Sequence, residues 1–298
     1  MKLKTNSGQA LLIVLLSMAV VLTIVLSVLA RSITDVSISS QDEDSLRAFS
    51  AAEAGVERAL IIGAGIESTI IGDASYNVNV SSVAEGQKEF NYPSSLFSGE
   101  SAKIWFVNHD EDGNLICSTE KPCFKGDTIK VCWGEEGSDS DSSEAPAMEL
   151  SVFYLSRTND YSTAKIGRAA IDPNSVRRGE NSFSEPDNSG ICTISGKNYQ
   201  FQHTLVFDNL QILSDVYLSR RGQLQFMTVR SIYNTLKGNN IGISVDYLRN
   251  TVLPSQGNLV TSSGSSGKAN RKVEVFQSYA EVPSIFDFTL FSPLGIIK

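Results

Sequence analysis

Four cysteines, two histidines and one crowded acidic stretch are the chemically able residues of this 298-residue chain. Cys117, Cys123, Cys132 and Cys192 support three readings. An even set in an exported protein points to disulfides, and four cysteines allow three pairings. Cys117 and Cys123 bracket a short STEKP loop and close easily, which leaves Cys132 to tie a strand to a distant loop at Cys192. The alternatives are free thiols and a four-cysteine zinc site, although the C-x5-C-x8-C spacing lacks the tight C-x2-C knuckle. Glu135 to Glu144, EEGSDSDSSE, sets five acidic groups among four serines. Closely spaced carboxylates suit a hard cation such as calcium, but the spacing departs from the EF-hand pattern and the composition favours a solvated loop.

His109 lies beside Asp110 and Asp112, where it could be a ligand or a base; a solvated residue on a polar turn is the favoured reading. His203 sits inside a strand pattern and reads as packed or surface-facing. Trp105 and Trp133 read as core anchors. The pairs Arg177–Arg178 and Arg220–Arg221 read as turn surfaces. No G-x-S-x-G elbow, H-E-x-x-H pair or phosphate loop occurs. The expectation is a non-enzymatic protein with no cofactor and no resident metal.

The placement of apolar residues is more informative than their amount. Ala10 to Ala30 is a run of 21 residues without a charge, ALLIVLLSMAVVLTIVLSVLA. As a helix rising about 1.5 Å per residue it spans roughly 30 Å, the thickness of a bilayer core. Ser17, Thr23 and Ser27 can return their hydroxyls to helix carbonyls. Lys2 and Lys4 precede the run, so the charge rule favours keeping the short amino end inside and exporting the rest, a bias that Arg31 at the far end weakens. The apolar core exceeds the roughly 7–15 residues of a signal peptide. From Arg31 to Leu60 there is no proline, and no glycine before Gly55. Leu46, Phe49, Val56 and Leu60 recur on one helical face, and several alanines favour helix and close packing. Glu43 and Arg47 form a favourable i,i+4 pair. The pattern predicts one helix from Gln9 to Ile62, with Ser37 to Ser40 as a candidate kink.

After Gly72 the period becomes two. Strands are predicted over 75–80, 101–108, 128–133, 148–155, 163–171, 199–207, 211–218, 223–233, 242–247 and 272–279. Polar stretches at 135–144, 174–189 and 261–267 read as exposed loops, the last, TSSGSSG, as a flexible tip. The fold class is therefore α+β: a leader at 1–8, a long helix at 9–62 and a β-rich, mostly antiparallel exported domain at 63–298. The net charge is −8, from 25 Lys plus Arg against 33 Asp plus Glu, a poor match for nucleic acid as main partner.

Gly8 followed by QALLIVLLSMAVVLTIVLSVLA and then RAFSAAEAGVERAL resembles the amino-terminal region of type IV pilin-like proteins, nearest to the X-type minor pilins and the K-type pseudopilin of type II secretion. The ending RKVEVFQSYAEVPSIFDFTLFSP also looks like that of large pilin-like proteins. The resemblance implies a prepilin peptidase that cuts between Gly8 and Gln9 and methylates the new amino terminus. Major pilins carry a glutamate at mature position five, where this chain has Ile13. That glutamate pairs with a neighbouring amino terminus, so an apolar residue suits a subunit with none ahead of it. The implied function is a minor subunit that primes, caps or decorates a pilus-like filament. It would partner other pilin-like subunits and the peptidase, resting as a single-pass membrane protein before it joins an extracellular filament. A secretion pseudopilin and a membrane-anchored adhesin are the alternatives.

Overall fold

A computed structural model describes residues 7–110, 112–187, 190–219, 221–245 and 251–281. In chain order the elements are α1 (Ser7–Ile62), β1 (Ile66–Ile71), β2 (Ala74–Ser82), β3 (Glu89–Asn91), β4 (Ser101–Trp105), β5 (Asn108–His109), β6 (Leu115–Ile116), β7 (Thr128–Glu135), β8 (Ala147–Leu155) and β9 (Ala164–Ile171). They continue with α2 (Ser175–Asn181), β10 (Cys192–Ile194), β11 (Lys197–Val206), α3 (Ser214–Tyr217), β12 (Leu224–Ile232), β13 (Ile241–Val245), β14 (Asn258–Ser266) and β15 (Ala269–Gln277). A long apolar amino-terminal helix thus precedes a β-rich antiparallel region. The helix is continuous through Ser37 to Ser40, where a kink was expected.

The chain forms two compact units, residues 1–80 with 260–275 and residues 81–259 with 276–298. This division differs from a boundary at residue 62. The helix takes β1, β2 and most of β14 and β15 with it, because its carboxy-terminal half needs a sheet on which to bury a face. That sheet has the order β1-β2-β14-β15. Ala51, Val56, Ala59, Ala74, Tyr76, Val78 and Val260 form its buried core.

Of the expected loop tip at 261–267, all but Gly267, which begins the turn to β15, lies in strand β14. Its small residues serve proximity: a Cβ on Gly264 would collide with the Ala48 carbonyl oxygen and stand 2.7 Å from the Ala52 nitrogen. Gly55 is as tight from the helix side, where a Cβ would lie 2.8 Å from the Tyr76 ring. Serine and glycine runs compose flexible tips and close backbone contacts alike, so composition alone points to the wrong one here.

The second unit is a sandwich. One sheet runs β10-β11-β7-β13-β3 and the other β4-β12-β8-β9. Ile129, Val131, Trp133, Ile241 and Ile243 of the first share a single core with Ile104, Leu150, Val152, Met227 and Val229 of the second. Their alternation along each strand is the period-two pattern of the sequence. The expected strand at 211–218 is absent. Gln211 has a φ of +59°, in the left-handed region, and Ser214–Tyr217 is the short α3. Ile212, Val216 and Tyr217 reach the core from that irregular segment rather than from alternate strand positions.

Both disulfides are present with the expected pairing, Cys117–Cys123 at a Cα separation of 5.2 Å and Cys132–Cys192 at 6.1 Å. The second spans 60 residues and ties β10 to β7 across the intervening β11, a closure worth roughly 4 kcal/mol of unfolded-chain entropy.

Gly264→Val will destabilise the helix–sheet unit by about 1–3 kcal/mol, as overpacking does. Ser263→Val, one residue away on the exposed side of β14, is the control and leaves stability nearly unchanged. Thermal melts of the detergent-solubilised chain, followed by circular dichroism and by proteolysis near Arg271, read the difference.

Candidate functional site

The amino-terminal half of α1 has the simplest chemistry. Among the described residues one helix, near the amino terminus, is long and apolar enough to cross a membrane. Every large apolar side chain from Leu11 to Leu29 is exposed, Ile13 included. The polar exceptions satisfy themselves, with Ser17 Oγ donating to the Val14 carbonyl at 2.9 Å and Thr23 Oγ1 to the Val20 carbonyl at 2.8 Å. Gly8 and Gln9 lie in the first turns of this helix. An apolar surface from Leu11 to Ala30 with no partner among the described residues has two low-energy settings, a bilayer and a bundle of similar helices.

The carboxy-terminal half makes a two-sided bar. Ala48, Ala51, Ala52, Gly55, Val56 and Ala59 are buried against the sheet. The predicted packing face divides. Val56 is buried and Leu60 half-buried, whereas Leu46 and Phe49 are 68% and 42% exposed. The small residues at 48, 52, 55 and 59 form the line of closest approach and draw the buried arc towards themselves. Bulk alone predicted a face centred on leucine and phenylalanine. The alanine and glycine spacing was the signal that locates the true one.

The outward side continues into a groove of about 340 Å³ lined by Leu46, Arg47, Ser50, Ala51, Ile71, Asp73 and Ala74. Arg47 bridges its rim, reaching Glu43 Oε1 at 2.6 Å and Asp73 Oδ2 at 3.3 Å. These exposed pairs contribute little energy, roughly 0–1 kcal/mol each, but they fix the β1–β2 turn beside the helix. Arg271 Nε donates to Ser45 Oγ at 2.8 Å and holds the β14–β15 end in the same way.

In the second unit the singled-out residues scatter. His109 is buried, 5% exposed, instead of solvated. Its ring stacks on Tyr279 at 3.6 Å and meets Trp105 edge-on at 4.6 Å. Burial lowers its pKa to about 4, against a smaller opposing pull from Asp110. Asp110 faces the turn, accepting from the Asn114 and Asp112 backbone at 2.7 and 3.0 Å, and these bonds hold its carboxyl below the usual range. His203 Nδ1 lies 3.1 Å from Asp187 Oδ1. Trp133 is an anchor, its Nε1 donating to the Pro146 carbonyl at 2.8 Å, and Arg221 is exposed. Arg220 falls outside the described residues.

The acidic stretch is tied down. Glu144 accepts from the Thr235 and Leu236 nitrogens at 2.7 and 3.0 Å, and these bonds lower its pKa. The polar stretch at 174–189 contains α2, capped by Asn174. Arg177 connects the two. It binds the fully buried Asp172 at 2.7 Å, donates to the Ser143 and Ala145 carbonyls at 2.7 and 2.6 Å, and covers the Tyr233 ring at 4.2 Å. Burial alone would raise the Asp172 carboxyl, and bonds from Arg177, Asn174 and Asn181 outweigh it and hold it low. The sequence carried no signal for this buried pair. Among the described residues, no group of three or more His, Cys, Asp or Glu is placed to hold a metal ion.

No family model, curated protein or solved structure matches this chain in comparisons with known proteins.

Two outcomes follow from these placements. Phe49→Asp leaves the melting of the purified chain within about 0.5 kcal/mol of wild type, as an exposed substitution should. Ala52→Asp, facing the sheet, abolishes the helix–sheet seat in the same assay. His109 stays neutral in the fold while the unfolded chain takes a proton at its ordinary pKa of about 6.5. Stability present above that value is therefore lost as pH falls towards 4. Carboxylates held low begin to lose their contribution only below about pH 5, so the upper part of that window belongs to the histidine. Thermal midpoints measured between pH 7 and 4 will fall in the wild type and flatten in His109→Phe.

Proposed function

We propose that this chain is a minor pilin-like structural subunit of a type IV pilus-like filament, acting in initiation, at the tip or as an accessory. The observation that carries the reading is the division of α1. Its first half has no partner among the described residues, and its second half is seated on a sheet through alanine and glycine. Gly8 and the AFSAAEAG stretch, the residues that carry the resemblance, belong to one helix. A helix of this kind waits in the bilayer and is then extracted, exchanging lipid contacts for contacts with similar helices. The groove beside Leu46 and Phe49 offers the neighbouring subunit an apolar edge near the membrane-distal half.

Ile13 supports the terminal form of this reading. A glutamate there would be a buried carboxylate needing an amino terminus ahead of it, and an isoleucine needs none. The same residue favours the second reading, a tip pseudopilin of a type II-like secretion apparatus. The two differ in the filament that contains the chain, not in its assembly chemistry.

The reading requires processing. Removal of residues 1–8 takes away Lys2 and Lys4, so the charge of −8 becomes −10. Mass spectrometry of sheared surface filaments should find this chain beginning at a methylated Gln9. An intact Met1 in the filament, or cleavage after Ala30, would overturn the proposal. Phe49→Asp, folded but altered on its outward side, should appear in those filaments at reduced abundance.

A further inference from the structure

The second unit carries a pocket of about 240 Å³, lined by the 135–144 stretch and by the turn that leads into β13. Among the lining residues Glu135, Asp139 and Glu144 set three carboxylates against the ammonium of Lys237. Glu144 is saturated, because the Thr235 and Leu236 nitrogens and the Thr235 hydroxyl occupy both of its oxygens. Lys237 Nζ donates to Glu135 Oε2 at 2.6 Å, and Asp139 Oδ1 accepts from the Asp141 nitrogen at 2.9 Å. Glu135 and Asp139 are exposed, and each keeps one carboxylate oxygen without a partner among the described residues.

The buried wall of the pocket has the opposite need. Asn239 lines it and is 5% exposed. Its Oδ1 accepts from the Gly134 nitrogen at 2.8 Å, which fixes the amide in one orientation, since a flipped amide would set two donors face to face. Its Nδ2 is left with no hydrogen bond among the described residues. A buried donor is unfavourable until an acceptor meets it. Asn234, in the same lining, shows the contrast: its Nδ2 serves the Leu96 and Lys237 carbonyls and its Oδ1 the Ser231 hydroxyl.

The pocket therefore fits a molecule that offers an acceptor to the buried wall and donors to the rim, and that carries no negative charge. A metal ion would engage only the carboxylates, and no group of three or more such ligands is placed to hold one among the described residues. An amine brings no acceptor for Asn239. A hydroxyl is acceptor and donor at once. We propose that this pocket binds a neutral sugar unit, one hydroxyl accepting from Asn239 Nδ2 and others donating to Asp139 and Glu135. At about 240 Å³ the space is smaller than a drug-sized site and suits a single ring. All of its residues belong to the second unit, and the assignment does not depend on the chain's being a filament subunit.

The test is saturation-transfer NMR on the full-length protein, in an amine-oxide detergent so that no sugar headgroup competes. The probes are the methyl glycosides of glucose, galactose and mannose at millimolar concentration, with methyl glucuronide and putrescine as charged comparisons. At least one neutral glycoside should bind the wild type, and the glucuronide several-fold more weakly. Asp139→Asn sits at an exposed position and keeps the acceptor for the Asp141 nitrogen, so the fold is retained. It should lower the sugar affinity about tenfold, as loss of a hydrogen bond to a charged group does. Asn239→Asp keeps the acceptor for Gly134, removes the donor and should abolish binding. Asp215→Asn, on the exposed start of α3, should change nothing. Thermal melts accompany each variant, and Asp139→Asn decides the test if Asn239→Asp unfolds. Binding by none of the three neutral glycosides would overturn the proposal. So would sugar binding that survives Asp139→Asn, or binding of putrescine alone, which would mark an acidic surface that gathers cations. A glucuronide bound as well as the neutral sugars would overturn the charge argument.

Discussion

The approach of two backbones, β14 at Gly264 and α1 at Ala48 and Ala52, is the constraint on which the helix–sheet unit depends. Only small side chains fit along that line, and none at Gly264, so both partners are built from alanine, glycine and serine. The sheet then lies close enough for Tyr76, Val78 and Val260 to cover the flanks of the helix. The ion pairs of Arg47 and the Arg271–Ser45 bond add position more than energy, because they are exposed. With one side committed to the sheet, the opposite side is left with Leu46 and Phe49 and the groove next to them. The proposed partner contacts are thus a consequence of which residues the sheet could not use.

The second unit solves a different problem, holding long polar connections on a sandwich without leaving them loose. The buried Asp172–Arg177 pair does this for the acidic stretch and α2. A buried ion pair is costly unless its remaining donors and acceptors are met. Here the guanidinium also serves two carbonyls and a tyrosine face, and the carboxylate also serves Asn174 and Asn181. The two disulfides act at other points. One closes the β6 turn region, and the other fastens the edge strand β10. A domain so fixed suits an exported setting, where oxidation is available and chaperone rescue is scarce.

The sequence by itself determined the membrane-length helix, because a charge-free run of that length has few other physical uses. It determined most strands, because period-two alternation of β-branched and aromatic residues reflects burial on one face. It also favoured the cysteine pairing that the structure has, because the short STEKP loop makes Cys117–Cys123 an easy closure, while free thiols and a zinc site stayed open until the structure paired them.

Only the tertiary structure decided the rest. All but the last residue of TSSGSSG became a strand because a helix backbone lies over it, and nothing local distinguishes that from a flexible tip. Leu46 and Phe49 turned outward because alanines elsewhere on the helix permitted a closer approach than bulky residues could. His109 moved from a polar turn into an aromatic stack because Tyr279, 170 positions later in the sequence, folds back onto it. Asp172 found Arg177 through a capped helix only seven residues long. In each case the deciding energy belongs to a pair of surfaces, and a single chain segment specifies only one of them.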